Sequence, residues 1–162
     1  MKNMLTMLAL CAAFGVPATA CAAGMDDMQY YVGNWTCMVG PTGVPPSKAT
    51  GTYTLDGGVL REWVSVPPSG TMTQPYMASS ASTYDAKNGQ YVETWLGNGS
   101  DWSVSYAKPW TGNTEEWADT ANSSGKLGRT EIVRTNQGSF TFTSYATQTD
   151  SAPNFKGVCT RS

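Results

Sequence analysis

A chain of 162 residues has room for one domain, and ten basic against twelve acidic residues leave no basic face for a phosphate backbone. The complete absence of histidine excludes His-based triads, His-ligated zinc and a proximal haem histidine. Low charge together with abundant Thr, Ser, Gly and Trp suits an exported β protein.

The first twenty residues, MKNMLTMLALCAAFGVPATA, follow the grammar of a secretory leader. Lys2 supplies the basic start, Met4 to Val16 the apolar stretch, and Ala18-Thr19-Ala20 the small-residue end. The apolar stretch is too short to span a bilayer. Cleavage is expected after Ala20 or Ala23, giving a periplasmic or secreted chain. Cys21 at the new N-terminus opens one route to a membrane, lipidation, although Ala18 stands where the lipoprotein signal usually has leucine. The expected organisation is a signal peptide over 1–20, an N-terminal segment with a short helix over 21–32, and a barrel domain over 33–162.

Residues 25–32, MDDMQYYV, predict one or two helical turns, with Asp26 and Asp27 at the start and Gly33 as the stop. Strand and turn signals follow almost without interruption. The expected strands are Trp35–Val39, Ala49–Leu55, Leu60–Val66, Tyr76–Tyr84 and Gln90–Leu96, then Trp102–Tyr106, Thr114–Ala118, Thr130–Arg134, Phe140–Tyr145 and Lys156–Thr160. DGG, PPSG, DAKNG, GNGSD, NSSG and TNQG punctuate them. Regular spacing without an amphipathic helix predicts an all-β fold, an antiparallel up-and-down β-barrel of about ten strands with a short N-terminal helical turn. Closure would remove exposed edges; a β-sandwich is the alternative.

Alternation leaves the inward faces open. In LREWVSV, Arg61 and Trp63 share one face while Leu60, Glu62 and Val64 share the other. Tyr91, Glu93 and Trp95 lie together, as do Trp102, Val104 and Tyr106. Glu115 and Glu116 are adjacent on a strand and so point to opposite sides, which rules out one shared site.

Cys11 leaves with the leader, and Cys21 leaves with it or sits at the processed end. Cys37 and Cys159 remain, and in an oxidising compartment such a pair reads as a disulfide. Two free thiols or a metal pair are the rival readings. No metal site is expected from His or Cys, and Met72 with Met77 offers only a weak copper pair. No cofactor is expected. Neither a nucleophile elbow, a phosphate loop nor a dinucleotide fingerprint is present.

The sequence GNWTC at 33–37, a Gly-x-Trp on the first strand after a short helix, resembles the signature of the calycin group, the lipocalin-like barrels. The order YYVGNWTC, LREWVSV, STYDAKNGQYVETWLGNGSDW, KPWTGNTEEW and RTEIVRTNQGSFTFTS is similar to a widespread bacterial family of exported, lipocalin-like proteins of unknown function. The resemblance implies that Trp35 plugs the closed end, with Gly33 letting the entering chain pass beside it. It further implies that a late arginine, Arg134 or Arg161, stacks on Trp35. Trp35 and Cys37 point to the same side of their strand, and if the first strand pairs with the last, Cys37 and Cys159 become cross-strand neighbours.

Six Trp and eight Tyr in so small a domain are the strongest functional hint. The expected function is binding of a small, partly apolar ligand of unknown identity, with Trp63, Tyr91, Trp95 and Trp102 as an aromatic wall. Arg61 or Arg134 would pair a polar or anionic end, and Glu93 supplies a carboxylate beside the aromatics. Two alternatives remain. One is a barrel enzyme using Glu93 as general acid–base. The other is an interaction or inhibitor protein using the loops Pro67–Pro75 and Pro109–Asn113. No nucleic-acid partner is expected, and a membrane only through Cys21.

Overall fold

A computed structural model describes Gly24 and residues 26–69 and 72–162. The expected leader, its cleavage positions and Cys21 lie outside the described residues. The chain forms ten strands: β1 (Gly33–Pro41), β2 (Ser47–Asp56), β3 (Val59–Val66), β4 (Tyr76–Asp85), β5 (Gln90–Gly97), β6 (Trp102–Ala107), β7 (Thr114–Asn122), β8 (Arg129–Asn136), β9 (Ser139–Tyr145) and β10 (Phe155–Arg161). All ten expected strands are present, each extended by a residue or more. Every strand pairs antiparallel with its sequence neighbour, and β1 pairs with β10, so the sheet closes into an up-and-down barrel. Closure satisfies the backbone groups that an open edge would leave bare.

The seam is riveted. Cys37 and Cys159 are direct register partners across β1 and β10 and form a disulfide that spans 122 residues of sequence. Cys159 is buried and, like Trp35 and Cys37, points into the barrel. The bridge fits an oxidising compartment.

The interior divides into two halves. At one end, the floor, the turns between β2 and β3, β4 and β5, β6 and β7, and β8 and β9 gather, and the chain enters through a helical turn at residues 26–28 that continues as a turn to Tyr31. Met28 and Tyr31 drop into the barrel and pack with Trp35, Leu60, Tyr91, Ala107, Trp117 and Phe140 in a sealed core. Edge-to-face contacts hold it, with Phe140 4.8 Å from Trp35 and 5.6 Å from Tyr31, centroid to centroid. At the other end, the mouth, the remaining loops gather. A bulge adds one residue to β7, because Val104 pairs with Ala121 whereas Ser105 pairs with Asp119. The inserted Thr120 resets the alternation, so Asp119 and Asn122 both share the inner face.

Candidate functional site

At the floor, Trp35 donates from Nε1 to the Tyr31 carbonyl at 2.7 Å. Arg161 lies over the indole, with Cζ 4.7 Å from a Trp35 ring centroid, and donates from Nη2 to the Tyr30 carbonyl at 2.6 Å. Its Nη1 donates to the Val32 carbonyl. Gly33 sits beneath this arginine at φ 132°, and a Cβ there would stand 2.9 Å from Nη1. Both the backbone angle and the space demand glycine. Of the two candidate arginines, Arg161 stacks on Trp35. Arg134 instead packs 3.5 Å from Trp110 and 4.3 Å from Tyr30, and donates from Nη2 to the Asp27 carbonyl at 2.8 Å.

Above the floor the lumen turns polar. Alternation sends Leu60, Glu62 and Val64 of β3 inward, beside the small inner face of β4, Ala78, Ser80 and Ser82. Those small side chains leave room for two carboxylates. Ser82 donates to Glu93 Oε2 at 2.9 Å, and the Ser80 hydroxyl lies 3.2 Å from Glu62 Oε2 and 3.3 Å from Glu93 Oε2. Tyr53 donates to Glu62 Oε1. A serine has a single proton, so Ser80 serves both contacts only when one carboxyl is protonated and donates back.

Electrostatics agree with that count. Burial, then the neighbouring Glu93 charge, pushes the Glu62 carboxyl up to about 7. Glu93 is also raised, chiefly by burial and in part by Asp119, against the lowering effect of the serine hydrogen bonds. Asp119 accepts from Ser105 at 2.7 Å and from Asn122 at 2.9 Å. Towards the mouth, Trp95 donates to the Tyr76 hydroxyl at 3.3 Å, and Tyr76 donates to Asp101; burial and this carboxylate push the Tyr76 phenol up to about 12. A second buried acid, Glu115, belongs to the floor. Tyr31 and Trp117 both donate to its Oε2, at 3.1 and 2.9 Å, while Oε1 has no partner. Burial raises this carboxyl to about 7 despite both bonds and Arg134.

The expected wall does not assemble as a unit. Trp95 and Glu93 face the lumen, but Arg61, Trp63 and Trp102 face outward, and Trp63 is 62% exposed. Tyr91 points inward yet belongs to the floor core, donating to the Gly24 carbonyl at 2.7 Å. Arg134 is likewise a floor residue. Arg61 and Glu93, on opposite faces of the wall, form no pair. Glu115 and Glu116 do point to opposite sides. Residues that the sequence reading passed over carry much of the lumen: Tyr53, Glu62, Tyr76, Ser80, Ser82 and Asp119. A usable signal was the alternate-position run Ala78, Ser80, Ser82, whose small volumes reserve space for longer neighbours. Among the described residues no group of three or more His, Cys, Asp or Glu side chains is arranged to hold a metal ion.

Two concavities mark the outer wall. One of about 690 Å³ lies beneath the loop after β6, lined by Tyr106, Lys108, Pro109, Thr111, Glu116 and neighbours. The other, of about 260 Å³, lies between Trp63, Met77, Leu96 and Asn98 near the mouth.

Fold and site together define the class: a closed, ten-stranded antiparallel barrel, sealed at one end, with a polar lumen at the other. Among solved structures the chain is similar to a redesigned β-barrel, at 11% identity over 83% of this chain and 93% of that one, with a TM-score of 0.43. No family model and no curated protein matches the sequence.

Proposed function

We propose that this protein is an exported, lipocalin-like barrel that binds a small molecule non-covalently in the mouth half of its lumen. The observation that carries the reading is a contrast in exposure along part of the interior. Glu62, Val64, Glu93, Trp95 and Ser103 point inward and are only half-buried, beside the buried Val39, Ala49, Ala78 and Ser80, whereas Trp35, Leu60 and Tyr91 at the floor keep almost no surface. Accessible inward side chains above a sealed floor describe a cup that opens at one end. Its lining suits a partly apolar molecule that stacks on Trp95 and offers hydrogen-bond donors to Glu62, Glu93 and Asp119. With Arg61 outside and Arg134 committed to the floor, an anionic end has no partner in the cup.

The leader-like first twenty residues and the disulfide support export to the periplasm or beyond. The Gly33–Trp35–Arg161 arrangement supports the lipocalin-like assignment. Native mass spectrometry of the protein recovered from the cells that make it, followed by denaturing extraction, tests the binding reading. A small adduct released on denaturation is expected, reduced in Trp95→Ala and Glu93→Gln but unchanged in the outward-facing Trp63→Ala. A bare mass in the parent protein, or equal occupancy in all variants, would overturn it.

A second reading, an enzyme using the lumen for proton transfer, is favoured by the single proton shared across Glu62, Ser80 and Glu93. A turnover whose pH profile loses one limb in Glu62→Gln would move the assignment to it.

A further inference from the structure

The two ends of the barrel differ in what they show to solvent. Among the described residues eight large apolar side chains are substantially exposed, and six of them, Val44, Trp63, Met77, Leu96, Trp102 and Leu127, lie in the mouth half. The other two, Met38 and Val158, are register partners at mid-height on the seam. None is at the floor. Four of the six form one patch: Trp63, Leu96 and Trp102 stand in one cross-strand row through Ser79, on four adjacent strands, with Met77 beside them. Soluble monomers rarely leave so much aromatic and aliphatic surface in one place without a use for it.

Charge follows the same axis in part. Lys48, Lys126 and Lys156 are exposed in the mouth half and have no ion-pair partner among the described residues. The carboxylates of β3 and β5, Glu62 and Glu93, are turned into the lumen. At the mouth, Asp101 accepts from Tyr76 and Asp150 accepts from the Thr147 amide at 3.0 Å. Asp26, Asp56 and Asp85 all lie at the floor. Three of the five described lysines thus stand at the same end as the exposed apolar side chains, while Lys87 and Lys108 lie on the floor turns.

We propose that the mouth of the barrel docks on an anionic lipid surface. Trp63, Met77, Leu96 and Trp102 enter the boundary between headgroups and acyl chains, where indole rings are at home. Lys48, Lys126 and Lys156 meet the phosphates. Charge complementarity chooses lipid over a second copy of this chain, because a mouth-to-mouth dimer would bring like-charged lysines together. In this pose the cup opens against the lipid, so a bound molecule can pass between the two. That consequence rests on the binding reading; the docking does not.

The test uses the processed chain carrying Cys21→Ser, so that no acyl chain can anchor it, and vesicles of phosphatidylcholine with or without phosphatidylglycerol. Co-sedimentation is expected with the anionic vesicles only, and weakening as salt rises. Leu96→Asp combined with Trp102→Ser lowers the partition at least about tenfold, and Lys126→Glu with Lys156→Glu lowers it about tenfold. Lys87→Glu at the floor, and Glu93→Gln in the lumen, leave it unchanged. Absence of binding by the folded parent chain would overturn the proposal. So would equal loss in Lys87→Glu, which would mean charge without orientation. A stable dimer in light scattering, broken by Leu96→Asp, would assign the face to self-association instead. Because vesicle binding is read separately from the released adduct, failure of one reading leaves the other standing or falling on its own result.

Discussion

Arg161 and Gly33 share one space: the guanidinium reaches two carbonyls and the Trp35 ring only because position 33 has no side chain. Two elements that enter the fold from opposite ends of the chain are thus locked by the absence of a single carbon.

Gly33→Ala is therefore expected to cost about 1–3 kcal/mol, part from the backbone angle and part from the displaced arginine. Arg161→Ala should cost about 1–2 kcal/mol through lost carbonyl bonds and cation–π contact. The two are not additive. With Arg161 already truncated, Gly33→Ala keeps only its backbone strain, so the double variant should be more stable than the sum of the single losses requires. Urea unfolding midpoints of the four proteins check this; strict additivity would deny the shared space.

Removing the disulfide should cost about 2–5 kcal/mol, since it closes a loop of 122 residues in the unfolded chain. Cys37→Ala with Cys159→Ala is the cleaner comparison, because Cys159 is almost fully buried and its removal alone leaves an unpaired thiol in the interior. A reduced protein with unchanged urea midpoint would show that the seam holds without its rivet.

Stability should fall as pH rises from about 4.5 to about 7. Glu62 and Glu115 both titrate near 7 in the folded barrel, against an ordinary value of 4.5. Between those values the folded state holds protons that the unfolded chain has released, so the stabilising protonated forms are lost as pH passes through 7. Each group costs up to about 1.4 kcal/mol per pH unit across that window. Glu93, also raised, acts in the same sense. Thermal unfolding at pH 5 and pH 8 measures the slope. It should flatten in Glu62→Gln and in Glu115→Gln, and a barrel more stable at pH 8 would contradict the buried, proton-holding carboxyls.

Strand positions were legible because turn chemistry punctuates six of the nine strand connections, and short DGG, DAKNG and TNQG segments allow few other readings. At the floor, Gly33 and Trp35 were legible only through the resemblance to lipocalin-like barrels, whereas Tyr91 and Arg134, expected around a ligand, turn out to belong to the floor. The lumen was not. In β3 the choice lay between a face with Arg61 and Trp63 and one with Leu60, Glu62 and Val64, and the larger aromatic looked like the interior residue. The barrel buries the glutamate because β4 offers Ser80 across the strand pair, a register relation that no single strand contains. Trp102 went outward by a similar logic, as the partner of Leu96 on the outer wall. Where inward side chains are polar and hydrogen-bonded, the rule that apolar groups go inside weakens, and cross-strand hydrogen bonding decides.

The seam also dictates an order of events. β1 carries the floor tryptophan and one cysteine, yet its second neighbour is β10, so residues 33–41 must wait for residues 155–161 before the sheet can close. A chain delivered N-terminus first can stack β1 to β9 as a ribbon, but it carries two bare edges until the end arrives. Truncation before Phe155 would leave that ribbon permanently open at β1 and β9. Such a product is expected to aggregate edge to edge, and a chaperone that covers a strand edge would be the natural guardian of the unfinished molecule.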